Sequence, residues 1–130
     1  MAFYSTVITG GSYESGVIFL NGFVTPGVAN EGFYAALRLG LASSVRVMSP
    51  SAPKRLDTDL GCGGLALGAA LVDGNNWFNM CTNEGLDEAV RTVEGYIEEM
   101  VEEGIPSEKI VLIGASQGGA TTLYTALNTK

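Results

Sequence analysis

The segment Ile110-Val-Leu-Ile-Gly114-Ala115-Ser116-Gln117-Gly118-Gly119 decides the fold of this 130-residue chain. Four consecutive large apolar residues, 110–113, are the pattern of a buried strand. Gly114 and Gly118 stand two positions before and two positions after Ser116, which is the spacing of a sharp turn with small neighbours. The residues from Gly118 onward are typical of a helix. The segment therefore predicts a strand, a tight turn and a helix, which is a unit of an α/β fold.

The rest of the chain continues this alternation. The predicted strands are Phe3 to Thr9, Val17 to Leu20 and Val45 to Met48, and the predicted helices are Glu31 to Leu41 and Glu84 to Glu103. Asn83 is the expected N-cap of the second helix, and Gly104 is its expected C-cap. An extended segment, Ser49 to Arg55, precedes a long Gly-rich connection from Leu56 to Asn76. Alternating strands and helices predict a single domain, 1–130, with a mostly parallel sheet.

Composition excludes several classes of function. The net charge is −7, with seven Lys and Arg against 14 Asp and Glu, which disfavours nucleic acids and anionic membrane surfaces as partners. Cys62 and Cys81 are too few for a disulfide framework and show no metal-ligand spacing, so we expect no metal site. The N-terminus lacks a signal peptide pattern, and the longest weakly polar stretch, Gly61 to Val72, is too short for a transmembrane segment. These features predict a cytoplasmic protein.

Ser116 is the candidate nucleophile. A Gly-x-Ser-x-Gly string between a strand and a helix holds a serine hydroxyl in an exposed, strained turn, and the helix N-terminus directs its free N–H groups at negative charge developing nearby. The stabilising oxyanion hole needs two backbone donors, one from the residue after the nucleophile and one from the loop after an early strand. Those positions are Gln117 and the loop Asn21-Gly22-Phe23. The alternative is an ordinary strand-to-helix turn in which Ser116 is an N-cap.

These residues together resemble the acyl-protein thioesterase and carboxylesterase (phospholipase/carboxylesterase) family of the α/β-hydrolases. The matching pieces are Val17-Ile-Phe-Leu-Asn-Gly22, Pro50-Ser-Ala-Pro53 with Arg55, Trp77-Phe78-Asn79, Gly104-Ile-Pro-Ser107, the strand Lys109 to Gly114, and Ser116-Gln-Gly-Gly-Ala120 with Leu123-Tyr-Thr-Ala-Leu127. The resemblance implies hydrolysis of carboxylic esters or acyl thioesters without a cofactor. It implies that Ser116 is the nucleophile and that the N–H groups of Phe23 and Gln117 form the oxyanion hole.

The chain departs from the family pattern at the sites of chemistry. The family's His-Gly-x-Gly-Asp loop reads Asn21-Gly22-Phe23-Val24-Thr25, and its Trp-Phe-Asp reads Trp77-Phe78-Asn79. The family's acid and base follow the nucleophile in the order Asp, then His, whereas this sequence contains no histidine. Its candidate acids, Asp57, Asp59, Asp73 and Asp87, all precede Ser116. The resemblance therefore implies the N-terminal half of a hydrolase, which we expect to show no appreciable turnover by itself.

A truncated α/β-hydrolase fold would leave the nucleophile strand, 110–114, at an unpaired edge of the sheet, because the family has further parallel strands beyond it. We therefore expect a partner chain or a C-terminal half that completes the sheet. Two hypotheses remain open. One is a serine esterase or thioesterase whose acid and base lie outside these residues, and the other is a catalytically inactive hydrolase-like module for binding or structure. A nucleotide-binding fold is disfavoured, because no Gly-x-Gly-x-x-Gly follows a convincing strand.

Overall fold

A computed structural model of the chain describes residues 3–5, 12–22, 44–57, 72–79 and 82–129. The strands are β1 (Phe3–Ser5), β2 (Ser15–Leu20), β3 (Val45–Pro50), β4 (Lys54–Asp57), β5 (Val72–Asn75) and β6 (Ile110–Gly114). The helices are α1 (Leu86–Glu102) and α2 (Gln117–Asn128), and a short 3₁₀ turn, Ser107–Lys109, leads into β6. The expected helix Glu31 to Leu41 lies outside the described residues, as do Phe23 and both cysteines.

The main sheet has the strand order β1-β3-β2-β6. β2 pairs in parallel with β3 on one side and with β6 on the other, while β1 joins β3 in antiparallel orientation. The register places Leu20 opposite Gly114, so the carboxyl end of β2 lies beside the turn that follows β6. The prediction of a mostly parallel sheet is confirmed.

Packing of α1 on this sheet forms the described core. Ile18, Leu20 and Met48 from the strands contact Val93 and Met100 from the helix, and all five are fully buried or nearly so. Two adjacent apolar residues near the C-terminal end of α1 differ in burial. Met100 takes the buried position, and Val101 is 44% exposed. Burial of these side chains is the main favourable contribution to the stability of the domain.

The C-terminal end of α1 is a Schellman motif. Gly104 has a φ of 95°, and its N–H donates to the carbonyl of Val101 while the N–H of Ile105 donates to that of Met100. Ile105 is buried in the same cluster as Met100, which is the apolar contact that accompanies this motif. The C-cap residue is Glu103, one position before the predicted Gly104, and Gly104 takes the left-handed position that ends the helix.

The start of α1 differs from the prediction. The N-cap is Gly85, with a φ of 91°, and not Asn83. Asn83 lies in a preceding turn, where its N–H donates to the carbonyl of Asn79 and its own φ is 62°. The amide residue therefore closes the turn, because Asn tolerates the left-handed conformation, and the helix begins two residues later than expected.

A second departure is the antiparallel pair of β4 and β5, which forms a separate two-stranded sheet. The sequence predicted a connection without regular structure from Leu56 to Asn76, but β5 lies within it. Val72-Asp-Gly-Asn75 has a weak intrinsic preference for strand, and pairing with β4 in the register Lys54 to Asn75 supplies the missing stabilisation. The middle of the connection, 58–71, lies outside the described residues.

β6 ends the strand order, and within the described ranges it pairs only with β2. Its side chains alternate, so that Ile110 and Leu112 pack against the core while Val111 and Ile113 remain 53% and 39% exposed. On the neighbouring helix, Leu123 and Leu127 are also exposed. The expected edge at this strand is therefore present in the described part of the molecule.

Candidate functional site

Ser116 occupies the turn between β6 and α2 in a conformation that is rare for a residue with a side chain. Its φ is 51° and its ψ is −119°. Among the described residues other than glycine, Asn83 alone shares a positive φ. A residue held in such a region costs on the order of 1–3 kcal/mol and persists only where the surroundings enforce it. The strained turn that the Gly-x-Ser-x-Gly spacing predicts is therefore found at Ser116.

Two glycines allow the surrounding backbone to pack closely enough for this turn. A Cβ atom on Gly114 would lie 2.2 Å from the carbonyl oxygen of Gly118. A Cβ atom on Gly118 would lie 2.1 Å from the carbonyl oxygen of Leu20. Both contacts are with backbone atoms, so any larger residue would push α2 away from the ends of β2 and β6. The glycine spacing read from the sequence thus has a direct steric reason.

The Ser116 side chain is exposed and makes no capping hydrogen bond to α2. Ser116 is the N-cap residue of α2, as the alternative of an ordinary turn predicts. Its side chain, however, does not form the capping hydrogen bond that this alternative requires. Gln117 is the first residue of α2, so its backbone N–H has no acceptor within the helix. The turn therefore combines an exposed hydroxyl with the positive end of a helix.

The loop that follows β2 lies directly beside the turn. The N–H of Ala115 donates to the carbonyl of Leu20 at 3.1 Å. A Cβ atom on Gly22 would lie 3.3 Å from the Cβ of Ser116 and 3.9 Å from its Oγ. The structure thus brings the start of the predicted oxyanion loop next to the predicted nucleophile. Phe23, the expected second donor, lies outside the described residues.

The side chain of Gln117 has a position that the sequence did not indicate. It is buried, and its Oε1 accepts a hydrogen bond from the backbone N–H of Trp77 at 2.8 Å. Its Nε2 donates to the carbonyl of Phe78 at 2.9 Å. The sequence pointed to Gln117 only for its backbone N–H, because the partners of its side chain are about forty residues away along the chain.

The two asparagines at the departures from the family pattern both have structural hydrogen bonds. Asn21 is buried, and its Nδ2 donates to Ser49 Oγ at 2.9 Å. The carbonyl of Asn21 accepts from the indole Nε1 of Trp77 at 3.1 Å. Asn79 Oδ1 accepts from the backbone N–H of Thr82 at 3.1 Å, within the turn before α1.

Ionisable groups with shifted pKa values lie on the two helices. Burial, and then the nearby Glu99 carboxylate, raise the pKa of Tyr96 on α1. A hydrogen bond to Asp87 raises the pKa of Tyr124 on α2. In the described ranges, no group of three or more His, Cys, Asp and Glu side chains is arranged to hold a metal ion. No described helix combines the length and apolar character needed to cross a membrane.

Comparison with known proteins identifies the family. The Phospholipase/Carboxylesterase family model matches residues 16–130. The chain is 52% identical over 46 residues to acyl-protein thioesterase 1 homolog 2 of Dictyostelium discoideum, a match that covers 35% of this chain and 21% of that protein. It is 36% identical over 88 residues to acyl-protein thioesterase 1 of Eremothecium gossypii, which covers 66% of this chain and 36% of that protein.

Solved structures share the fold. SOBER1 of Arabidopsis thaliana superimposes with a TM-score of 0.68 at 25% identity, over 88% of this chain and 55% of that one. Acyl-protein thioesterase 2 of Zea mays superimposes with a TM-score of 0.63 at 20% identity, over 96% of this chain and 51% of that one. This second match shows only that the fold is shared. The chain thus spans about half the length of these two structures. It matches a smaller share of the length of the two curated thioesterases. It has an α/β-hydrolase fold and belongs to the phospholipase/carboxylesterase family.

Proposed function

We propose that the chain carries the nucleophile and the oxyanion hole of a serine hydrolase that cleaves carboxylic esters or acyl thioesters. The observation that carries this proposal is the conformation of Ser116, with a φ of 51°, an exposed side chain and no capping bond. A serine that is held in a strained conformation without a side-chain capping bond is typical of a functional site. The names of the related thioesterases support acyl compounds as the substrate class.

In the proposed mechanism, the Ser116 Oγ attacks the acyl carbonyl carbon, and the carbonyl oxygen becomes an oxyanion. The backbone N–H of Gln117, at the positive end of α2, donates to that oxyanion, and the N–H of Phe23 is the proposed second donor. Collapse of the tetrahedral intermediate leaves the acyl group on Ser116 and expels the alcohol or thiol. Water then releases the acid.

Proton transfer from Ser116 needs a general base, and the 130 residues contain no histidine. We propose that the acid and the base come from polypeptide outside these residues, either further sequence or a partner chain. The exposed edge of β6, with Val111 and Ile113 beside it, is the proposed place where that polypeptide continues the sheet. The chain by itself is then expected to retain only the small residual rate that an oxyanion hole supports.

Chemical rescue tests the role of Ser116. The chain is incubated with a fluorophosphonate probe, with and without free imidazole as a replacement base, and the labelled residue is located by mass spectrometry. We expect slow labelling at Ser116 that imidazole accelerates. Ser116→Ala should abolish this labelling, and the matched control Ser107→Ala, at another exposed serine, should not. Labelling of Ser116 that is no faster than that of Ser107 would contradict the proposal.

The second candidate is a catalytically inactive module that binds a partner or supports an assembly. It is favoured by Asn21 and Asn79, which stand where the family has His and Asp and whose side chains are engaged in hydrogen bonds within the fold. A short-chain nitrophenyl ester separates the two candidates. Turnover that appears with imidazole and disappears in Ser116→Ala favours the hydrolase, whereas equal rates for the chain and the variant favour the inactive module.

A further inference from the structure

Three segments that are distant in the sequence meet behind the nucleophile turn. They are the end of β2 with Asn21, the segment Trp77-Phe78, and the start of α2 with Gln117. Each is connected to the next by hydrogen bonds between buried groups. The proposed mechanism uses only the backbone of Gln117, so the side chains that make these connections have no role in it.

The first connection is the Gln117 carboxamide, which is only 3% exposed. It accepts from the N–H of Trp77 and donates to the C=O of Phe78, so both ends of the side chain bind one short stretch of backbone. This pairing fixes the position of that stretch relative to the residue directly after Ser116. A buried amide that lost either partner would incur the desolvation cost of an unpaired polar group.

The second connection is the Trp77 indole, which is 1% exposed. Its Nε1–H donates to the carbonyl of Asn21, one residue before Gly22. From the other side, Asn21 Nδ2 donates to Ser49 Oγ at the end of β3. The start of the oxyanion loop is therefore held both by the sheet and by Trp77.

We infer that Gln117 and Trp77 are positioning residues that hold the oxyanion loop in register with the nucleophile turn. Their hydrogen bonds form a relay that runs from Gln117 through Trp77-Phe78 to Asn21. This inference rests on the proposed function, because the register of the loop matters for chemistry only if Ser116 reacts. Gln117 and the start of the loop, Asn21, are joined by this relay, and the Ala115 to Leu20 backbone bond joins the same two elements directly. A displacement of about 1 Å in such a site costs on the order of 10²-fold in rate.

Nuclear magnetic resonance tests the relay without requiring activity. Trp77 is the only tryptophan in the chain, so a single indole N–H signal reports its bond to Asn21. The variant Gln117→Met keeps the side-chain length but removes both polar groups. We expect its Trp77 indole proton to exchange with solvent about five- to tenfold faster than in the unmodified chain, because the loss of one buried hydrogen bond changes local stability by that factor. The amide signal of Gly22 should also move. The control Asn128→Leu changes an exposed amide on the same helix and should leave both signals unchanged.

A second variant, Trp77→Phe, keeps an aromatic ring but removes the indole donor, and it decides the question if Gln117→Met does not fold. We expect the Gly22 amide signal to move in this variant as well. Unchanged indole exchange in folded Gln117→Met, or an unchanged Gly22 signal in folded Trp77→Phe, would overturn the inference.

The labelling assay with imidazole then separates this inference from the proposed function. If both hold, Trp77→Phe lowers the rate of Ser116 labelling by about 10- to 100-fold, while its far-ultraviolet circular dichroism is unchanged. Equal labelling rates in Trp77→Phe and the unmodified chain would overturn the positioning role. If the unmodified chain is not labelled at Ser116 at all, the proposed function fails, and the indole and Gly22 signals still decide whether the relay exists.

Discussion

At the scale of single residues, the turn at Ser116 depends on two positions that have no side chain. Gly114 and Gly118 leave no room for a Cβ atom, and this absence lets α2 approach the ends of β2 and β6. The Ser116 backbone is then held in its unusual conformation by neighbours that cannot relax without moving a strand. Close packing at two glycines, and not a capping bond from the serine side chain, therefore maintains the geometry of the site.

The steric argument predicts opposite effects for the same substitution at two helical glycines. Gly118→Ala places a Cβ atom 2.1 Å from the Leu20 carbonyl oxygen, and we expect it to lower the free energy of unfolding by about 1–3 kcal/mol or more. Gly95→Ala on α1 meets nothing within 4 Å, so it should raise this free energy by about 0.5–1 kcal/mol through helix propensity. Urea unfolding measures both. A stabilised Gly118→Ala would mean that the close packing at the turn is not present.

At the scale of secondary-structure elements, an ion pair joins β3 to α1 at the end of the sheet opposite the turn. Arg46 Nε donates to Glu103 Oε2 at 2.9 Å, and Glu99 lies 3.7 Å from the same guanidinium group. The Arg46 side chain is almost fully buried and also lies 5.7 Å from the centre of the Tyr13 ring. A buried guanidinium group of this kind depends on its carboxylate partners.

Neutralising one carboxylate tests this connection. We expect Glu103→Gln to lower the free energy of unfolding by about 1–2 kcal/mol relative to Glu102→Gln, because Glu103, unlike Glu102, forms an ion pair with Arg46. Both substitutions remove a negative charge from the C-terminal end of α1, so the favourable effect on the helix dipole is shared and cancels in the comparison. Thermal or urea unfolding gives the difference. Equal stabilities would show that the ion pair contributes nothing measurable.

The elements also show what sequence reasoning captures. β6 and the turn at Ser116 were predictable because their signals, an apolar run and two spaced glycines, are local. β5 was not, because Val72-Asp-Gly-Asn75 becomes a strand only through its pairing with β4. The same limit applies to the site, where the Gln117 backbone was expected at the turn but its side-chain bonds to Trp77 and Phe78 were not. Interactions between distant segments depend on the complete fold and leave no periodic pattern in the sequence.

At the scale of the whole molecule, Tyr96 links stability to alkaline pH. Burial, followed by the Glu99 carboxylate, raises the pKa of its hydroxyl in the folded state. As the pH rises above about 10, the unfolded chain loses this proton first, so the folded state becomes less favourable. We expect Tyr96→Phe to lose less stability than the unmodified chain between about pH 9 and 11. Unfolding curves at a series of pH values measure this, and parallel curves would contradict the assignment.

The edge at β6 leads to a prediction about self-association in solution. Val111 and Ile113 are exposed beside backbone groups that have no partner strand within the described ranges, and such an edge promotes pairing with other chains. We expect the chain to self-associate as its concentration rises, and Val111→Lys to increase the monomer fraction, because a charge on an edge strand opposes pairing. Val101→Lys is the matched control, since Val101 is also exposed but lies on α1. Sedimentation velocity at several concentrations separates the two variants. If both lysines reduce association equally, the loss of any exposed valine is the cause, and if only Val111→Lys does so, the sheet edge is the surface that associates.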